Sequence, residues 1–191
     1  MPVKKSMPLD SNKRIKDILP YLKSPILDVG CSNGYDVSYF KNLGFEVEGC
    51  DINSSAIESA GKNYPQCHFF FHDFEQNALE KKYNTIYAFD VIEHIFDYNT
   101  FLKNIAKALN ERGRLILTTP NVLSLKYRLK FLAGDGALFN QMPHIRFFTP
   151  ATIKEVLNQN GFKVIKVFGY SRLPLPTSLC GSLTIIAEVS T

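Results

Sequence analysis

Four aspartates stand at the ends of apolar runs in the first half of the chain, and their surroundings suggest ligand chemistry. The first lies in Ile26-Leu27-Asp28-Val29-Gly30-Cys31-Ser32-Asn33-Gly34. Gly30 and Gly34 carry no Cβ, so a ligand could approach the backbone of this turn closely. Asp28 would repel a pyrophosphate at the same place, so the turn favours a cationic or hydroxyl-rich ligand, such as a cofactor with a positive amino-acid end. Asp51 follows 23 residues later, after a second run. A carboxylate there can accept both hydroxyls of a ribose; its other reading is a cap for the helix that follows. After a third run comes His72-Asp73-Phe74. Asp73 could accept from an exocyclic amine while Phe74 packs on a purine face, or the pair could be a loop carboxylate beside a core ring. After a fourth comes Asp90-Val91-Ile92-Glu93-His94. Histidine is a common general base, which makes His94 a candidate, and Glu93 beside it can also reach a substrate. The alternative is a histidine that bonds only its own loop.

These residues need a scaffold that brings the ends of several strands together. Ile15, Ile18, Leu19 and Leu22 follow helical spacing behind Ser11, and Pro20 ends or bends that helix. Strands are expected at 26–30, 45–50, 67–71, 85–89 and 114–119. Between them, helices are expected at 34–43, stopped by Gly44, from Asn53 or Ser54 with Ser55 and Glu58 at capping-box spacing, and at 98–109. Thr149-Pro150 opens a further helix that ends at Asn160-Gly161. Strands at about 162–169 and 182–189 close the chain; with no helix between them they should pair antiparallel. The expected fold is α/β: a doubly wound, Rossmann-like, mostly parallel seven-stranded sheet with an antiparallel edge hairpin and helices on both faces.

The 191 residues fit a single domain, 1–191. Their 45% hydrophobic and 21% charged content is that of a soluble globular protein. A net charge of +4 falls short of a nucleic-acid signature. No run nears the roughly 20 apolar residues of a membrane span, and residues 1–10 lack the apolar core of a signal peptide. Cys31, Cys50, Cys67 and Cys180 form no C-x-x-C pair, so no metal is expected. They read as reduced thiols of a cytoplasmic protein, with Cys31 alternatively a reactive thiol at a helix N-terminus.

Taken together, ILDVGCSNG, EGCDIN, HDFE, YAFDVIEHI and GRLILTTPN resemble the class I S-adenosylmethionine-dependent methyltransferases, in particular the small-molecule branch that includes the ubiquinone-pathway O-methyltransferases. The likeness covers roughly residues 12–190 and departs at Ser32, where the family often has glycine. It implies S-adenosyl-L-methionine as cofactor. Asp28, Gly30 and Gly34, with Cys31 in the same turn, would border its methionine end, and Asp51 would hold the ribose. Ile52 would pack on the adenine, Asp73 would contact the adenine amine, and Asp90 and Val91 would close the site.

Residues 120–148 exceed an ordinary connection and suggest a lid. Val122, Leu125, Leu129 and Leu132 share one helical face, with Lys126, Arg128 and Lys130 elsewhere; Gly134-Asp135-Gly136 then breaks the helix. Phe139, Met142, His144, Arg146, Phe147 and Phe148 follow. Such a lid suits an aromatic, lipid-like or acidic small molecule, or else its apolar face packs on the sheet. His144 is a second candidate base. A homodimer is compatible with the sequence. Rival readings are a non-catalytic cofactor-binding regulatory or assembly subunit and an NAD-dependent oxidoreductase. The latter would want G-x-G-x-x-G in place of Gly30-x-x-x-Gly34. A nucleic-acid methyltransferase is disfavoured by Asp90-Val91-Ile92 after the fourth strand.

Overall fold

In a computed structural model, residues 9–134, 144–171 and 173–190 are described, with side chains from residue 13 onward. Seven strands form one sheet: β1 Ile26–Val29, β2 Val47–Asp51, β3 His68–Phe71, β4 Tyr83–Phe89, β5 Leu109–Pro120, β6 Phe162–Tyr170 and β7 Ser182–Val189. Their spatial order is β3-β2-β1-β4-β5-β7-β6. The first five run parallel, and β7 pairs antiparallel with both β5 and β6. The expected hairpin thus lies at one edge, with β7 as its inner member.

Helices cover both faces because side chains alternate along the central strands. Leu27, Ile86, Leu115 and Leu117 point into one core with Phe101, Leu102 and Ile105 of α4 (Tyr98–Ala108) and Ile153 and Leu157 of α6 (Pro150–Gln159). Ile26, Tyr87 and Ile116 point into the other, with Ile15 and Ile18 of α1 (Leu9–Ile18) and Val37 and Phe40 of α2 (Tyr35–Asn42). Helix α3 (Ser54–Asn63) packs on this second side through Ile57.

The turn chemistry explains most boundaries. Gly44 takes φ +91° after α2, and Thr149 with Thr152 closes a capping box ahead of Pro150. Some details differ from expectation. Helix α1 begins at Leu9, ahead of Ser11, and gives way at Leu19–Tyr21 to a 3-10 turn carrying Pro20. The cap of α3 is Asn53, whose side chain accepts from the Ser55 and Ala56 amides, so Ser55 and Glu58 form no box. Strand β5 starts at Leu109 rather than Arg114, because the chain re-enters the sheet on both sides of a turn with Arg112 at φ +57°.

Within 120–148, α5 spans Leu125–Leu132 and none of its residues is buried. Leu132 is 85% exposed, and Leu129 is more than half exposed. The expected packing of its apolar face on the sheet is therefore not found. The turn before it is pinned instead: the Asn121 amide donates to the Ser178 and Cys180 carbonyls, and its carbonyl oxygen accepts from Leu123 N–H. Asp135, Gly136, Phe139 and Met142 lie outside the described residues.

Strand order reverses between β1 and β4, and ligands of open α/β sheets bind outside the carboxyl ends of strands at such a switch point. Those ends carry Gly30, Asp51 and Asp90.

Candidate functional site

The glycines of the first turn make room for the chain itself. Gly30 and Gly34 take φ +77° and +79°. A Cβ on Gly30 would lie 2.6 Å from Val91 Cγ2, and one on Gly34 would lie 2.5 Å from Phe69 Cζ and 2.9 Å from Ala60 Cβ. Both residues thus allow side chains of the protein itself to close under the turn, and Val91 is one of them. Gly34→Ala combines a disfavoured φ with backing onto Phe69 and Ala60. It should lower stability by about 2–4 kcal/mol, read as a fall in the urea midpoint at unchanged slope.

The amides of this turn are also committed. Gly30 and Cys31 N–H donate to the Cys50 carbonyl at 2.8 and 3.0 Å, Ser32 N–H to Asp51 Oδ2 at 2.9 Å, and Gly34 N–H to the Cys31 carbonyl at 2.9 Å. A phosphate cradle needs such donors turned towards the ligand. Here they are spent inside the chain, against a dinucleotide.

Carboxylates dominate instead. Asp28 is buried on β1; burial foremost and the neighbouring Asp36 push its pKa well up, Asp51 adds to this, and the Tyr87 hydroxyl opposes it. Burial also raises Asp36, in the first turn of α2, against the pull of Arg14. Asp51 holds one backbone amide on each oxygen, Ser32 on Oδ2 and Asn53 on Oδ1, both at 2.9 Å. Each oxygen keeps a lone pair for a hydroxyl donor. The cap at this point is Asn53, so the capping alternative for Asp51 falls away. Ile52 next to it is 65% exposed, an apolar face open to a flat ring. Asp90 sits at φ +54°, strained for a non-glycine residue, and is held by Thr118: the Thr118 hydroxyl donates to Asp90 Oδ1 and accepts from Asp90 N–H, both at 2.9 Å.

Two expectations require correction. Phe74 is 2% exposed and meets Phe101 and His72 edge-on, so its ring belongs to the core and cannot receive a purine. Asp73 remains partly accessible, with Oδ1 accepting from Glu75 N–H at 2.8 Å. Cys31 is buried, and burial together with Asp28 and Asp51 drives its thiol pKa far up, which rules out a reactive thiolate.

The sequence reading missed Arg14. It reaches from α1 over the strand ends, with Nη1 3.9 Å from Asp90 Oδ2, Nη2 donating to Ser182 Oγ at 3.0 Å, and the guanidinium 5.5 Å from the Tyr170 ring centre. Only the apolar stripe of α1 was legible as a signal; a polar helix position says nothing of what it faces. Asp36 escaped for the same reason. Arg14 is thus the cation beside Asp90 and Asp36, while Asp28 and Asp51 stand at the neighbouring strand ends, a set that suits a ligand with cationic and hydroxyl groups and one carboxylate.

Beyond Asp90 lies a second cluster. A 3-10 turn, Ile92–His94, buries Glu93 to 1% exposure and leaves His94 exposed. His144 arrives from a segment 50 residues away. The two imidazoles meet edge-on, 4.8 Å between centres, and His144 Nε2 lies 4.0 Å from Glu93 Oε1. Burial lifts the Glu93 pKa to about 7, with Asp90 adding to the effect. Neither carboxyl oxygen has a hydrogen-bond partner among the described residues; the Thr119 hydroxyl, short of good geometry, pulls weakly the other way. His144 is lowered from its usual value by burial and by His94, with Asp90 opposing. One ligand atom from each of Glu93, His94 and His144 lies within 4.8 Å of the others. The trio can share a proton or surround a divalent cation, a grouping that spacing alone did not reveal.

Comparison with known proteins decides the family. A methyltransferase domain model matches residues 7–167. The chain belongs to this methyltransferase domain family. It is 29% identical over 168 residues to the mitochondrial ubiquinone biosynthesis O-methyltransferase of Homo sapiens, covering 78% of this chain and 44% of that protein. It is 26% identical over 152 residues to the ubiquinone biosynthesis O-methyltransferase of Rickettsia bellii, covering 75% and 63%. The chain therefore spans about half to two thirds of the length of these relatives. The magnesium protoporphyrin IX methyltransferase of Synechocystis PCC 6803, solved with bound SAH, superposes with a TM-score of 0.71 at 22% identity, covering 95% of this chain and 82% of that one. A SAM-dependent methyltransferase from Archaeoglobus fulgidus gives 0.70 at 19% identity, with 93% and 92% covered. The fold and family expected from the motifs are both borne out. Among the described residues, no helix is long and apolar enough to cross a membrane.

Proposed function

We propose that this methyltransferase-family chain binds S-adenosyl-L-methionine at the ends of β1, β2 and β4 and transfers its methyl group to a small molecule. The observation that carries this reading is the pairing of spent turn amides with a carboxylate-rich rim. Asp51 would hold the ribose hydroxyls, Ile52 would cover one adenine face, and Asp73 would accept from the adenine amine. Asp28, Asp36 and Asp90 would surround the ammonium of the methionine end, and Arg14 would meet its carboxylate.

When bound, S-adenosylmethionine supplies an electrophilic methyl on a sulfonium. The chain's share is then alignment, exclusion of water and handling of the acceptor's proton. His144, neutral near pH 7, can take that proton at Nε2, with His94 against its ring and Glu93 behind. The acceptor side is apolar and basic: Leu129, Phe131 and Leu132 are exposed on α5 beside Lys126 and Arg128. An apolar acceptor with an acidic group fits it. The four free cysteines are consistent with a reducing, cytoplasmic setting.

His94→Ala should lower turnover about a hundredfold while leaving S-adenosylmethionine affinity nearly unchanged, because the imidazole lies on the acceptor side. Labelled-methyl transfer into a pool of candidate acceptors measures the first and calorimetry the second. Equal losses in both would make His94 structural. No methyl transfer despite tight cofactor binding would favour a non-catalytic cofactor-binding subunit.

A further inference from the structure

Arg146 was expected to greet an acidic acceptor, but its donors are directed elsewhere. Nη2 donates to the Phe96 carbonyl at 2.6 Å and Nε to the Ile95 carbonyl at 3.3 Å. The guanidinium lies over the Tyr98 ring, 4.6 Å from its centre. In the same stretch, the backbone N–H groups of Ile145 and Arg146 both donate to the Glu93 carbonyl, at 3.0 and 3.1 Å. Four hydrogen bonds and one stacked face therefore bind residues 145–146 to residues 93–98.

We infer that Arg146 is a positioning residue: it latches the segment bearing His144 onto the turn bearing Glu93 and His94, and so assembles the acceptor-side cluster. The inference rests on the methyltransferase reading for its purpose, though not for its geometry. His144 itself lies in neither a helix nor a strand. The two residues that follow it are the ones held by the latch. A planar fork suits this task, because it bonds two successive carbonyls while keeping a flat face for Tyr98. A lysine ammonium could reach one carbonyl and would lose the stacked face. Errors of about 1 Å in such a supporting contact disable a site whose chemical groups are all present.

The test reads the geometry directly. With only four histidines, ring protons of histidine-labelled protein can be assigned individually. The wild-type protein should give a cross-relaxation peak between the His94 and His144 rings. In Arg146→Ala the peak should fall about fivefold or more, and in Arg146→Lys about twofold, since only one carbonyl contact is recovered. Affinity for S-adenosylhomocysteine, used as the probe of the cofactor side, should change less than about threefold in either variant, because a local positioning role leaves the strand ends intact. Should Arg146→Ala fail to fold, Tyr98→Leu removes the stacking face alone and should weaken the same peak. An undiminished peak in folded Arg146→Ala, or in Tyr98→Leu where the former does not fold, overturns the proposal. So does a parallel collapse of S-adenosylhomocysteine affinity, which would mark a general structural role. If the wild-type protein binds no S-adenosylhomocysteine, the methyltransferase reading fails, and the histidine peak still decides the role of Arg146.

Discussion

Asp51→Ala is expected to weaken S-adenosylmethionine binding by about 1–3 kcal/mol, roughly five- to 150-fold, from loss of charge-assisted hydrogen bonds to the ribose. The structure gives a reason to expect the upper end. The same carboxylate receives the amides of Ser32 and Asn53, one on each oxygen. Removing it frees the glycine turn on one side and the start of α3 on the other. Asp51→Asn separates the two effects. Its amide keeps one acceptor oxygen, so one backbone donor stays satisfied, but the symmetrical acceptor for a diol is gone. Calorimetry should therefore rank wild type, then Asn, then Ala. Equal affinity in wild type and Ala would remove Asp51 from the ribose site.

This dual role of Asp51 marks where sequence reading worked and where it stopped. The residues at the carboxyl ends of β1, β2 and β4 were legible because strand periodicity fixes which residues fall there, and the topology rule says ligands gather at those ends. Gly30 and Gly34 were picked out correctly as special, but for an incomplete reason. A positive φ and a missing Cβ leave the same trace in a sequence whether a ligand or Val91 and Phe69 fill the space. Phe74 followed the same logic: an aromatic residue beside a candidate site cannot be told from a core residue without its neighbours. Arg14, Asp36 and the meeting of His144 with Glu93 and His94 depend on long-range packing, which no local spacing records. The exposed α5 shows the converse. Its apolar stripe is the pattern of a packed helix, yet the turn pinned by Asn121 leaves it without buried residues.

The second large effect belongs to Glu93, where Glu93→Gln should gain stability at alkaline pH and lose activity together. Its carboxyl is raised from 4.5 to about 7 in the folded protein. Between those values the folded state binds the proton that the unfolded state has released. Stability therefore declines as pH rises through this window and levels off above about 7. The group costs up to about 3 kcal/mol at pH 8, at 1.36 kcal/mol per pKa unit. Glutamine cannot ionise, so urea unfolding in the presence of a chelator should place Glu93→Gln above wild type by up to that amount at pH 8, with the gap closing towards pH 4.5. Methyl transfer should fall about a hundredfold in the same variant, the pattern of a site that trades stability for activity. A variant no more stable than wild type at pH 8 would show that Glu93 is ionised and paired, not strained by burial.

Everything proposed for the site depends on the strand ends accepting a sulfonium-bearing nucleoside and refusing a phosphate-bridged one. Titration calorimetry of the full chain against S-adenosylmethionine, S-adenosylhomocysteine and NAD tests that choice directly. Saturable binding of the first two and none of the third is expected, because the amides a pyrophosphate would need already serve Cys50, Asp51 and Cys31. Binding of NAD with indifference to both S-adenosyl compounds would contradict it.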